Sequence, residues 1–256
     1  MARGRRITWL GQAGFRIEVE ETVFVVDPWI SEHEDRITPS APLELAADDV
    51  DVLLVTHEHL DHLDLPFLPS LLERSPDARV VLPAAIASHV EGIVSESRLV
   101  VVEPGYAVDL NGVELRVTPA FHGVSLDDAY GDGSAVDGRP RFVGYMLGSE
   151  RRIYHAGDSI VTDELIEALE TLGIDVALLP INGRDAEREA RGIIGNMDAG
   201  EAVELALRIG ASTLVPYHWD AVAGNTVAPG TVVDAADGRL HVLVPARFRP
   251  LVLDAA

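Results

Sequence analysis

Short apolar runs rich in Val and Ile recur along the whole chain, each cut off by Gly, Pro, Asn or Asp. They fall at 7–10, 15–19, 23–26, 52–56, 80–82, 99–102, 113–118, 142–147, 152–154, 176–179, 213–216, 240–244 and 250–253. Branched apolar residues in runs of this length, bounded by turn formers, predict strands. A helical period appears at 66–73, 84–90, 162–172 and 198–209. Thr162 and Asp198 are candidate N-caps, and Glu201 lies at the capping-box spacing from Asp198. Gly173 and Gly210 follow the last two helices as stops. In each half, strands come first as a meander and then alternate with helices. That order predicts two mixed β-sheets with helices outside, a four-layer αββα sandwich in the α/β class. No phosphate-binding glycine motif follows any strand, and no linker divides the chain, so residues 1–256 are expected to form one domain.

Composition narrows this picture. A hydrophobic content of 47% over 256 residues supports a substantial core. All apolar runs are too short to cross a bilayer, so no membrane insertion is expected. The start, Met1 to Arg6, is basic but leads into no apolar signal segment, which makes a cytoplasmic location the expectation. Without cysteine there is neither a disulfide framework nor a thiolate ligand. The net charge is −22, and every side-chain cation other than histidine is arginine. A surface of that sign repels phosphate backbones, so no nucleic-acid partner is expected. Lacking lysine, the chain also has no Schiff-base chemistry.

The candidate chemistry sits at the run His57-Glu58-His59-Leu60-Asp61-His62, directly after the apolar stretch 52–56. Imidazole and carboxylate are the side chains that bind divalent transition metals without sulfur. Crowding them at the mouth of a buried strand is costly unless a cation holds them together. Three further apolar runs each end on a potential ligand: His122, Asp158 and His218. Strand ends that converge on one crevice would gather all of them. The Gly-rich stretch 123–141 beside His122 reads either as an active-site loop or as a surface insertion.

These residues resemble the metallo-β-lactamase-fold hydrolase superfamily over nearly the whole chain. The resemblance rests on Trp9-Leu10-Gly11-Gln12-Ala13-Gly14-Phe15, Val25-Val26-Asp27-Pro28-Trp29 and the His57–His62 run. Ala120-Phe121-His122-Gly123, His155-Ala156-Gly157-Asp158 and Val215-Pro216-Tyr217-His218 extend it. The stretch 174–180 and Gly195-Asn196-Met197-Asp198 are similar to the branch of L-ascorbate-6-phosphate lactonases and related metal-dependent hydrolases.

The resemblance implies two divalent metal ions per chain. His57, His59 and His122 would hold the first, and Asp61, His62 and His218 the second, with Asp158 bridging. Related redox diiron proteins carry Glu where this chain has His59, so hydrolysis is the implied chemistry. Zn or Mn are the expected metals, with Fe also compatible with N and O donors. Such a pair, about 3.5–4 Å apart, makes a bridging water a nucleophile near neutral pH. Asp61 is the candidate to orient that water and take its proton, and Asp61 and Asp158 are the candidate catalytic acids.

Around them, Asp27 either orients a metal-bound histidine or is a turn residue before Pro28. His155 reads as a packing or supporting residue rather than a ligand, and Glu58 as a carboxylate facing away. Arg184 is a candidate clamp for an anionic substrate group, whereas Arg188 and Arg191, among Asp185, Glu187 and Glu189, suggest an ion-paired segment. Asn196 and Tyr217 are candidate donors to an oxyanion. The function expected is a dinuclear hydrolase of a small, anionic ester or lactone. A metal-dependent phosphodiesterase is the alternative, and a metal-binding protein without turnover the third reading. The partner expected is a small-molecule substrate, and relatives of this kind often form homo-oligomers.

Overall fold

The computed structural model describes residues 5–122, 135–136, 138–190 and 195–253. The first half contributes strands β1 (Arg6–Gly11), β2 (Gly14–Val19), β3 (Thr22–Val26), β4 (Val52–Leu54), β5 (Arg79–Pro83) and β6 (Leu99–Val102). The second half contributes β7 (Ala107–Leu110), β8 (Val113–Pro119), the short pair β9 (Ala135–Val136) and β10 (Arg139–Pro140), β11 (Val143–Leu147), β12 (Ile153–His155), β13 (Val176–Pro180), β14 (Thr213–Tyr217) and β15 (His241–Val242). A last strand, β16 (Pro250–Val252), returns to the first sheet. Among the described residues the two large sheets have seven strands each, in the orders β16-β1-β2-β3-β4-β5-β6 and β15-β14-β13-β12-β11-β8-β7.

Each sheet is an antiparallel meander joined to a parallel set. β1, β2 and β3 pair antiparallel, and β3 to β6 run parallel. β7, β8, β11 and β12 pair antiparallel, and β12 to β15 run parallel. The inner parallel strands β4, β13 and β14 are buried on both faces, which is why their sequences read as unbroken apolar runs rather than alternations. In β4, Val52 and Leu54 point into the core between the sheets, and Leu53 faces the helices outside. In β13, Val176 and Leu178 join the same central core, while Ala177 and Leu179 face the other helical layer. Helices α1 (Leu43–Ala47) and α2 (Leu68–Arg74), with the 3₁₀ turn Ala84–Val90, cover the first sheet. Helices α3 (Asp163–Leu169), α5 (Ala199–Arg208) and α6 (Gly230–Ala236) cover the second, and α4 (Ala186–Ala190) is short. The αββα sandwich read from the sequence is the observed architecture.

Local signals account for the helix starts. The Thr162 side chain accepts the Leu165 amide, and Asp198 with Glu201 forms a complete capping box. The stretch 84–90, expected as a helix, is a 3₁₀ turn that follows Pro83. Helix α6 escaped sequence reading because its first turn is Gly-Thr-Val-Val, all poor helix formers. Strand β7 escaped it because its pattern, with Asp109 in the middle, is too short and polar to stand out.

Candidate metal centre

The sequence places four potential ligands or ligand clusters just beyond the C-terminal ends of β4, β8, β12 and β14, and the structure brings them to one crevice. Nitrogen and oxygen atoms of His57, His59 and His122 lie within 4.8 Å of one another, as do those of His57, His62 and Asp158 and those of Asp61, His62 and His218. Asp158 stands between the groups. Its Oδ1 is 3.4 Å from His62 Nε2, and its Oδ2 is 3.5 Å from His122 Nε2 and 3.3 Å from His218 Nε2. Asp61 Oδ2 is 3.4 Å from His218 Nε2 and 3.8 Å from His62 Nε2.

These spacings fit a cation. Donors about 2.0–2.2 Å from a tetrahedral ion lie about 3.3–3.6 Å from one another. His62 Nε2 and Asp158 Oδ1 are buried and make no hydrogen bond. A buried pair left like that is costly unless something sits between them. The chemistry of the set, neutral imidazole and carboxylate without sulfur, suits borderline and hard divalent ions.

Electrostatics divide the histidines. Burial and the neighbouring imidazoles His62 and His59 hold His57 well below its ordinary pKa. Burial also lowers His122, to about 4, although Asp158 opposes the shift. His62 and His218 go the other way. Burial pulls both down, but Asp158 and Asp61 outweigh it, with Asp27 also acting on His62. His62 ends well above its ordinary value, and His218 rises to about 9. Asp158 and Asp61 pay for burial yet are pulled below the usual carboxylate range by the facing imidazoles. Raised imidazoles thus face lowered carboxylates, an arrangement that favours opposite charges side by side when no ion separates them.

The surrounding residues fix this arrangement. Asp27, fully buried, accepts the Thr56 amide at 2.9 Å, the Thr56 hydroxyl at 2.6 Å and His62 Nδ1 at 2.7 Å. Of the two readings of Asp27, the geometry favours orientation of His62, whose Nε2 is thereby turned to the crevice. Gly157 has φ +62°, and a Cβ there would lie 2.6 Å from the Val143 carbonyl, so only glycine makes the turn that delivers Asp158. The Tyr217 hydroxyl is buried and donates to the Gly157 carbonyl. It thus shapes the Asp158 turn rather than facing a substrate, a correction to the oxyanion-donor expectation. His155 donates from Nε2 to the Ala13 carbonyl at 2.9 Å and accepts the Gly157 amide, a supporting role.

Two other expectations are also revised. Arg184 makes a bidentate pair with Glu201 at 2.6 and 2.7 Å and reaches the Asn196 carbonyl, so its fork braces the start of α5 instead of an anionic ligand. Asn196 is fully buried, and its amide donates to Asn182 Oδ1, within a network through Asn225 to Arg188. It has no access to an oxyanion. Arg188 pairs with Asp185, as an ion-paired segment requires. Arg191 and most of the stretch 123–141 lie outside the described residues. Glu58 is in none of the ligand groups and pairs with Arg141.

Sequence reading missed three neighbours. Phe142 packs its ring 5.2 Å from that of His57 and 5.5 Å from that of His122. Asp64, two residues past the motif, accepts the Ile30 and Ser31 amides, both at 2.7 Å, and ties the following loop down. Gln12, at the β1–β2 turn, donates to Asp61 Oδ2 at 2.7 Å. Phe142 and Asp64 carry no motif of their own, and Gln12, though it stands in the Trp9–Phe15 stretch, shows its partner only in the fold.

Comparison with known proteins agrees with this geometry. The model of the beta-lactamase superfamily domain matches residues 22–219. A UPF0173 metal-dependent hydrolase of Rubrobacter xylanophilus is 33% identical over 225 residues, 86% of this chain and 83% of that protein. Another, of Methanopyrus kandleri, is 30% identical over 216 residues, 84% of each chain. In fold, the chain is similar to Igni18, a metallo hydrolase of the archaeon Ignicoccus hospitalis. The TM-score is 0.77 at 20% identity, covering 99% of this chain and 100% of that one.

Proposed function

The chain belongs to the beta-lactamase superfamily, as a metal-dependent hydrolase, and from that premise we propose that it is a dinuclear enzyme acting on a small anionic ester or lactone. The observation that carries the dinuclear reading is the position of Asp158. One of its oxygens faces His122 of the first group and His218 of the second, and the other faces His62. In this reading His57, His59 and His122 hold the first ion, and Asp61, His62 and His218 the second, with Asp158 shared. When bound, two such ions, Zn or Mn by donor chemistry with Fe compatible, supply a water nucleophile ionised near neutral pH and Lewis-acid stabilisation of the substrate's oxygens.

The chain's own residues do the rest. Asp61 leaves 18% of its side chain open, against 4% for Asp158, so it is the acid that meets incoming water. Its Oδ oxygens orient that water and receive its proton. Asp27 keeps the Nε2 lone pair of His62 directed at the crevice by holding the proton on Nδ1. Phe142 walls the first group and keeps bulk water from the histidine rings.

The ester or lactone class is supported by the resemblance of 174–180 and 195–198 to the ascorbate-phosphate lactonases and by the hydrolytic ligand set at His59. Elemental analysis should find about two divalent ions per chain. The reconstituted protein should then open lactones and leave bis(p-nitrophenyl) phosphate intact. Turnover of the phosphodiester alone would instead select the phosphodiesterase. Asp61→Asn with full metal content and wild-type turnover would remove Asp61 from the mechanism.

A further inference from the structure

Gln12 is 1% exposed and sits at a backbone irregularity beside the crevice. The β1–β2 pairing loses register between Trp9 and Gly11, and Gln12 follows with φ +51°, in the left-handed region. A non-glycine residue held there costs about 1–3 kcal/mol and persists only where its surroundings over-determine it. Those surroundings are visible. The Gln12 carbonyl accepts the Trp9 indole N–H at 3.0 Å and the His218 amide at 3.2 Å. The strained turn therefore fixes where the side chain goes.

It goes to the second group of potential ligands. Gln12 Nε2 lies 2.7 Å from Asp61 Oδ2 and 3.0 Å from His218 Nε2. The atom facing the carboxylate must be the NH₂, because an amide oxygen there would set acceptor against acceptor. The Oε1 is left buried without a hydrogen-bond partner, a state that costs about 1–3 kcal/mol. Strain in the backbone and an unsatisfied carbonyl are two separate costs at one residue. The bonds to its backbone carbonyl from Trp9 and His218 and the Nε2 bond to Asp61 are what offset them.

Asp61 and His218 come from different sheets: Asp61 follows β4, and His218 follows β14. The Gln12 side chain touches both. Its backbone also holds the His218 amide, and His218 itself has φ +60°. We infer that Gln12 is a positioning residue for the second metal position: its neutral amide donates to Asp61 Oδ2 and packs against the His218 ring, near both ring nitrogens, while its backbone carbonyl holds the His218 amide. This inference rests on the dinuclear reading above. Neutrality matters, because a third carboxylate at this place would add charge to a site that already holds Asp61 and Asp158, and a cationic group would repel the ion.

The test is a Co²⁺ titration of the metal-free full-length chain, followed by d–d absorption, for wild type, Gln12→Met and Gln12→Ala. Methionine keeps the side-chain volume and removes the donor, so it separates the amide from packing. Two binding steps are expected in wild type. Loss of a group that orients a ligand weakens metal binding about 10- to 100-fold. In Gln12→Met the second step should weaken by that factor, with its absorption band shifted, while the first step stays as in wild type. The inference is overturned if Gln12→Met binds both ions as wild type does, or if both steps weaken together in Gln12→Met and Gln12→Ala. A wild-type chain that binds fewer than two ions fails the dinuclear reading itself and takes the inference with it.

Discussion

Replacing Asp27 by Asn probes the chain of contacts that aims His62. Three donors converge on this carboxylate: the Thr56 amide on Oδ1, and the Thr56 hydroxyl and His62 Nδ1 on Oδ2. An amide side chain of the same shape has one acceptor atom instead of two. Whichever way it is flipped, its NH₂ faces either the Thr56 N–H or the His62 Nδ1–H. The hydroxyl can rotate away, towards His57 Nδ1 at 3.0 Å, but the other clash stays. One buried donor is thus left unsatisfied and one charge-assisted bond is lost, which together cost about 2–4 kcal/mol. For a chain of this size about 1 kcal/mol moves the thermal midpoint by about 2–4 °C, so a fall of about 4–16 °C is expected in the metal-free protein. If the His62 proton shifts to Nε2 to escape the clash, the lone pair facing the crevice disappears. Affinity at the second position should then drop about 10- to 100-fold. Calorimetric melting and metal titration read the two effects separately. An Asp27→Asn variant with wild-type melting and wild-type metal affinity would falsify the claim that Asp27 orients His62.

Other outcomes follow from the same contacts. In the metal-free protein His62 and His218 are both raised above the ordinary value, so their stabilisation is full below about pH 6.5 and declines as pH rises, that of His218 being lost as pH climbs through about 9. His57 and His122 are shifted down and do not titrate in that window. The metal-free melting temperature should therefore fall between those values while metal affinity rises, with proton release visible by calorimetry in buffers of different ionisation enthalpy. Tyr217→Phe should cost about 1–3 kcal/mol by stranding the Gly157 carbonyl, and it should lower metal content without changing the fold by circular dichroism. Gly157→Ala forces a Cβ towards the Val143 carbonyl at a positive φ, and a loss of about 2–4 kcal/mol is expected in urea denaturation.

Periodicity alone made most of the fold legible. Parallel strands such as Val52–Leu54 and Val176–Pro180 are buried on both faces, so they leave an apolar signature that no loop imitates. The capping residues Thr162 and Asp198 were legible because side-chain caps are local chemistry. Helix α6 and strand β7 were not, since tertiary packing rather than propensity holds them. At the crevice, each expected ligand was legible as a polar residue at the end of an apolar run. The residues around them divide by range. Asp27 announced itself beside a strand end, whereas Gln12 and Phe142 act across long sequence separations. Arg184, Asn196 and Tyr217 looked available in the sequence because their partners, Glu201, Asn182 and the Gly157 carbonyl, are named only by the fold.

All three clusters of candidate ligand atoms draw members from both halves of the chain: His57, His59, Asp61 and His62 from the first, His122, Asp158 and His218 from the second. Backbone bonds cross the same seam, from Val143 to Thr56 and from His218 to Gln12. No cluster is complete within one half, and an ion held there would act as a rivet between them. At a free concentration 1,000-fold above its dissociation constant, one such rivet adds about 4 kcal/mol to the closed form. A chain cut between β6 and β7 would make this visible as two fragments whose reassembly depends on metal, so that occupancy becomes a measure of whether the halves are joined.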